Sequence, residues 1–78
     1  MPFDAKTMGV VIRKIRKKRK ITQEVFSGFA TISRSHLAAL ERGHTAKVET
    51  YAKIADAFDM PLSELFRLVE EEMTNEPG

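Results

Sequence analysis

Four consecutive polar residues, Ser33, Arg34, Ser35 and His36, stand immediately before Leu37, Ala38, Ala39 and Leu40. They can donate and accept hydrogen bonds, but they hold no nucleophile poised beside a base. At about 100° per residue, Leu37 and Leu40 share one side of a helix and must face a core. Ser35 and Arg42 then lie opposite, with Ala38 and Ala39 beside them. Arg34 and His36 sit at the two edges, and Glu41 falls back toward the buried side. The solvent face therefore carries reaching polar groups at its start and short side chains behind them. A DNA major groove, roughly 12 Å wide, admits a helix whose face is not bulky. Arg34 could give two parallel hydrogen bonds to guanine O6 and N7, worth about 1–3 kcal/mol of discrimination. Ser35 reaches a base or phosphate only if the helix docks closely, and His36 can touch either. The same residues also fit an ordinary surface helix, because alanine is a good helix former. The helix alone does not separate these readings.

The elements that must position these groups can be read from apolar spacing. Met8, Val11, Ile12 and Ile15 follow i, i+3, i+4, i+7, the stripe of an amphipathic helix ending near Arg19. Thr22, followed by Gln23 and Glu24, reads as an N-cap with an acidic first turn, opening a short helix to about Ala30. Ser33 caps a third helix, and Gly43 is placed as its C′ residue, where a left-handed backbone is wanted. Val48, Tyr51, Ile54, Ala55 and Phe58 form the stripe of a fourth helix, broken at Asp59-Met60-Pro61. Leu62, Leu65, Phe66, Val69 and Met73 form a fifth. No alternating strand pattern and no repeat occurs. The expectation is an all-α, five-helix domain over residues 7–73, with a flexible N-terminus at 1–6 and a disordered tail at 74–78.

Composition narrows the function classes. Seventy-eight residues make one small domain. There are no cysteines, and the two histidines, His36 and His44, have no matching carboxylate spacing, so no metal site is expected. No cofactor is expected, and no enzyme: there are no paired catalytic carboxylates and no glycine-rich phosphate loop. No apolar run approaches the roughly 20 residues of a membrane span, and no signal-peptide pattern opens the chain. A cytoplasmic, nucleoid-associated setting follows as the expectation. The net charge of +2 hides an asymmetry. Arg13, Lys14, Arg16, Lys17, Lys18, Arg19 and Lys20 hold seven of the thirteen basic residues. Glu64, Glu70, Glu71, Glu72 and Glu76 crowd the other end against Arg67. One face suits a polyanion, the other solvent or a protein. Most of the basic run reads as the solvated side of the first helix, since Ile12 and Ile15 already have a core to face.

TQEVFSGFATISRSHLAALERG, Thr22–Gly43, resembles the helix-turn-helix of the Cro/lambda-repressor-like (Xre) family. Ile12-Arg13 and Arg16 resemble that family's first helix, and VETYAKIADAFDMPLSELF, Val48–Phe66, its last two. The likeness runs from about Gly9 to Phe66 without a gap. It implies a compact five-helix domain that binds double-stranded DNA as a two-fold homodimer on palindromic or near-palindromic operators. Gln23 matches a phosphate-binding glutamine at the start of the second helix. Arg34, Ser35, His36 and Ala39 match base-reading positions. Arg16 and Glu41 match a paired arginine and glutamate that tie the first helix to the third. The chain departs from the family where glycines are usual, at Lys20, Thr31 and Asp59. Ser27 stands for a small alanine, Phe29 for a polar residue and Ala30 for a leucine.

With this resemblance, Gln23, Ser33, Arg42, His44, Thr45 and Lys47 become the candidates for DNA phosphates, helped by exposed amides at helix starts. Leu65, Phe66, Leu68, Val69 and Met73 offer more apolar surface than one small core uses, and are the candidates for a dimer interface. The reading is a sequence-specific transcriptional regulator. Its size and composition resemble the controller proteins of restriction–modification systems, with Cro-type phage repressors close behind. The rival is a helix-turn-helix antitoxin or other protein-interaction module. RNA polymerase or a toxin is the type of protein partner these readings imply.

Overall fold

The computed structural model describes residues 3–75. Five helices follow in order: α1 Ala5–Lys18, α2 Gln23–Ala30, α3 Arg34–Glu41, α4 Val48–Ala57 and α5 Leu62–Asn75. No strand occurs among the described residues. The architecture is the all-α, five-helix one that apolar spacing implies.

Each helix start has a local cause. The Asp4 carboxylate accepts from the Lys6 backbone N–H and the Thr7 hydroxyl, and these bonds hold its pKa below the ordinary value. The Thr22 hydroxyl accepts from Val25 N, and the Ser33 hydroxyl from His36 N. These caps satisfy orphan amides of the first turn. The Asp4 cap also corrects one boundary. The first helix begins at Ala5, inside the segment expected to be flexible, because the cap lies upstream of the apolar stripe. At the other end α5 runs through Thr74 and Asn75, two residues into the expected tail. The rest of that tail, 76–78, lies outside the described residues.

The helix ends share one device. Residues Lys20, Thr31, Gly43 and Asp59 all have positive φ, at 59°, 53°, 105° and 60°. In each case the next residue's N–H turns back to a carbonyl five positions earlier: Ile21 to Arg16, Ile32 to Ser27, His44 to Ala39, Met60 to Ala55. This is the Schellman closure, which satisfies the last carbonyls and reverses the chain in few residues. Only one of the four is a glycine. The positions where this chain departs from the glycines usual in the family are thus the ones carrying left-handed backbone.

The closures fold the helices around a core of Met8, Ile12, Phe26, Leu37, Leu40, Ile54, Phe58 and Leu65, each at most 1% exposed. The Phe26 and Phe58 rings stack at 4.2 Å between centroids, joining α2 to the end of α4. The Arg19 guanidinium lies 5.2 Å from the Phe58 ring and donates to the Phe58 carbonyl at 2.8 Å. Gly9 sets how closely α1 meets α3. A β-carbon there would clash with the carbonyl oxygens of Leu40 and Glu41, the latter at 2.9 Å.

A left-handed conformation costs an ordinary L-residue roughly 1–2 kcal/mol, and glycine returns part of that gain as unfolded-state entropy. Thr31→Gly is therefore expected to stabilise the domain by about 0.5–1 kcal/mol, raising its melting temperature by several degrees. An unchanged or lowered thermal midpoint would contradict the assigned turn.

Candidate nucleic-acid interface

Arg34, Ser35 and His36 open α3, and all three are exposed. Behind them Leu37 and Leu40 are buried at 0% and 1%, so the helix is anchored from its inner side. Ala38 and Ala39 are half-buried, which keeps the outer face low. Ser33 serves first as the cap of this helix, and its hydroxyl also lies 3.4 Å from that of Ser35. Beyond the helix, Arg42, His44, Thr45 and Lys47 are exposed. The buried Tyr51 hydroxyl accepts from Ala46 N at 3.1 Å and pins this loop. Burial pushes the Tyr51 pKa up.

One ion pair sets the position of α3. Arg16 grips Glu41 with a fork: Nε donates to Oε2 at 2.7 Å and Nη2 to Oε1 at 2.9 Å. Its third arm, Nη1, donates to the Ile21 carbonyl at 2.8 Å, in the link between α1 and α2. Gln23 completes the set, its Nε2 donating to Glu41 Oε1 at 3.0 Å. The two charged side chains are only 9% and 4% exposed. The Glu41 hydrogen bond raises the Arg16 pKa above its ordinary value. Two parallel charge-assisted bonds fix orientation as well as distance. Thus α1, α2 and α3 meet at one carboxylate, and the guanidinium that grips it also holds the link after α1. Gln23 carries two loads here: it stands at the N-terminus of α2 and is also tied inward. Its amide orientation is set by that tie, because only its nitrogen can donate to a carboxylate.

An open groove runs between α1 and the α2–α3 unit, lined by Arg13, Arg16, Lys17, Gln23, Arg34, Ala38, Glu41 and Arg42. Arg16 and Glu41 neutralise each other, which leaves Arg13, Lys17, Arg34 and Arg42 as its uncompensated charge. Arg13 and Lys17 were not singled out by sequence reasoning, which assigned the basic run to solvent. Their spacing of four from each other, flanking Arg16 on one helical face, was the available signal.

The candidates for a second subunit divide. Leu65 and Val69 are 0% and 3% exposed, sunk into the core, and cannot also cover a partner. Phe66, Leu68 and Met73 are half-buried. Phe66 lies against Phe3 at 5.8 Å and Tyr51 at 6.3 Å between ring centroids. This division is a correction to the five-residue set, and its cause is that α5 must close the core against both α1 and α4.

The helix-turn-helix family model matches residues 12–65, more than half of the chain. Among solved structures, the restriction–modification controller protein C.Esp1396I bound to a 25 base pair operator site is 20% identical. It superposes with a TM-score of 0.85 over 96% of this chain and 100% of its own. The controller protein C.AhdI from Aeromonas hydrophila is 27% identical, with a TM-score of 0.75 over 80% of this chain and 96% of that one. The clp gene regulator ClgR from Corynebacterium glutamicum gives 0.83 at 20% identity, over 94% and 79%. The likenesses at 20% identity are likenesses of fold. No curated protein matches the chain.

Removing one partner of a buried ion pair strands the other and costs about 3–5 kcal/mol. Glu41→Ala should therefore unfold far below the wild-type melting temperature, while Ser35→Ala, at an exposed site, should stay close to it. Equal melting temperatures for the two variants would show that the pair does not hold α3.

Proposed function

Because this chain belongs to the helix-turn-helix family, we propose that it is a sequence-specific DNA-binding transcriptional regulator, with α3 entering the major groove. The observation that carries this reading is the exposed start of α3 beside a groove of uncompensated arginine and lysine. In it, Arg34, Ser35 and His36 face base edges, and Ala39 allows close approach. Arg13, Lys17, Gln23, Arg42, His44, Thr45 and Lys47 meet phosphates on either side. Ser33 contributes chiefly by capping α3. The fold shared with controller proteins, one of them bound to operator DNA, favours this function.

The finer reading is a homodimer acting on a palindromic or near-palindromic operator, in the manner of a restriction–modification controller or a Cro-type repressor. One copy measures 34 × 23 × 21 Å and has one recognition helix, so it reads one half-site. A second half-site lies one DNA turn away, about 34 Å, and requires a second copy. The part of α5 left for pairing is Phe66, Leu68 and Met73, continuous with the exposed edge of Phe3.

Selection of bound duplexes from a random pool, followed by footprinting, tests the function. The expected product is a palindrome in which Arg34→Ala relaxes one guanine position, a loss of about 1–3 kcal/mol in discrimination. Recovery of unrelated sequences by the wild type would reject sequence reading. If about six phosphates are neutralised per copy, log K falls against log salt with a slope near −5. Near-zero slope would reject the electrostatic part. In sedimentation the chain is expected to run as a dimer, and Met73→Lys to shift it toward monomer. A wild type that stays monomeric at high concentration and on operator DNA excludes the pairing.

A further inference from the structure

The link between α3 and α4 carries three of the proposed phosphate contacts, yet little holds it. His44, Thr45 and Lys47 are exposed, and among them Ala46 alone turns inward to pack on the core. The His44 N–H closes back on the Ala39 carbonyl, and the Lys47 carbonyl opens α4 by accepting from Thr50 and Tyr51. Between those two points, among the described residues, the Ala46 N–H is the only backbone group with a hydrogen bond. Its acceptor is the Tyr51 hydroxyl, at 3.1 Å. Lys47 stands at the N-cap of α4 but makes no side-chain capping bond, so its side chain has no duty within the helix.

Tyr51 is itself fixed. It is 3% exposed, and its ring centroid lies 5.6 Å from that of Phe3 and 6.3 Å from that of Phe66. These ring contacts would serve a phenylalanine equally well. What the hydroxyl adds is a hold on the middle of the link. Gly43 braces its beginning: a β-carbon there would come within 3.3 Å of Lys6 Cα, so the first turn of α1 backs the turn out of α3. A link framed in this way presents its outward side chains in one arrangement. An unframed link must be ordered at the moment of binding, which lowers affinity.

We propose that Tyr51 is a positioning residue for DNA binding: from inside the core, its hydroxyl holds Ala46 so that His44, Thr45 and Lys47 meet the phosphate backbone together. The inference rests on the DNA-binding reading and adds to it a residue that touches no DNA.

Tyr51→Phe keeps the ring and removes the bond. Titrations on a mixed-sequence duplex over a range of salt, at a temperature where circular dichroism shows each protein folded, test the assignment. The variant should bind about three- to tenfold more weakly than the wild type, the worth of one hydrogen bond. Its salt slope should be shallower by about one phosphate. Lys47→Ala should lose less affinity in the Tyr51→Phe background than in the wild type, because the lysine is no longer held to its phosphate. A change in folding stability alone moves neither the slope nor this coupling. Amide exchange in the free wild type gives a second readout: Ala46 should exchange more slowly than Thr45 and Lys47. An unchanged slope, effects that simply add, or an Ala46 amide as fast as its neighbours overturns the role of Tyr51 and leaves the DNA-binding reading standing. A wild type that binds no duplex overturns that reading and this inference with it.

Discussion

The buried fork between Arg16 and Glu41 is the contact on which the rest of the molecule's working surface depends. α3 has only eight residues, too short to be stable by itself in water. Its inner leucines hold it to the core, but apolar packing is tolerant of small rotations about the helix axis. A bidentate guanidinium–carboxylate pair is not, because its two parallel bonds lose alignment together. Arg16 also reaches the Ile21 carbonyl, and Glu41 also receives Gln23. One carboxylate thus registers the start of α2 and the end of α3 against α1. Burying such a pair is no efficient route to stability, since hydrophobic replacements often serve as well. Its value here is directional.

Short connections impose a second constraint. Four of the helices end in a residue with positive φ, and three of these are lysine, threonine and aspartate. The closure lets successive helices turn sharply without long loops, which keeps a 78-residue chain compact. It also places strain at the turn between α2 and α3. Gly9 meets the complementary demand: it carries no side chain where α1 crosses the end of α3, and so permits the close approach in which Arg16 reaches Glu41.

Charge is laid out along the molecule rather than balanced locally. α1 and α3 present Arg13, Lys17, Arg34 and Arg42 to one groove. α5 presents Glu64, Glu70 and Glu71, with Arg67 bridging Glu64 at 2.8 Å and Glu71 at 3.0 Å. Its other carboxylate, Glu72, reaches across to Lys14 at 2.7 Å. These are exposed pairs of small energetic worth. They leave Arg13, Lys17, Arg34 and Arg42 on one side and most of the carboxylates of α5 on another, so the domain has a basic and an acidic side.

The number, order and inner faces of the helices were legible in the sequence, because amphipathic period and capping are local properties. Thr22, Ser33 and Gly43 mark their boundaries by chemistry that needs no distant partner. The exposed polar start of α3 is readable for the same reason: with Leu37 and Leu40 facing inward, Ser35 lies on the opposite side and Arg34 and His36 at its edges. What the tertiary structure decided was every choice among equivalent residues. Leu65 and Val69, rather than Phe66 and Met73, went to the core because α5 packs against two helices at once. Among seven neighbouring cations, Arg16 was buried and Arg13 and Lys17 joined the groove of α3, a selection made by the crossing of α1 and α3 at Gly9. The inward tie of Gln23 depends on a carboxylate eighteen residues away. Periodicity says which side of a helix is wet; only the neighbouring helices determine what that side meets.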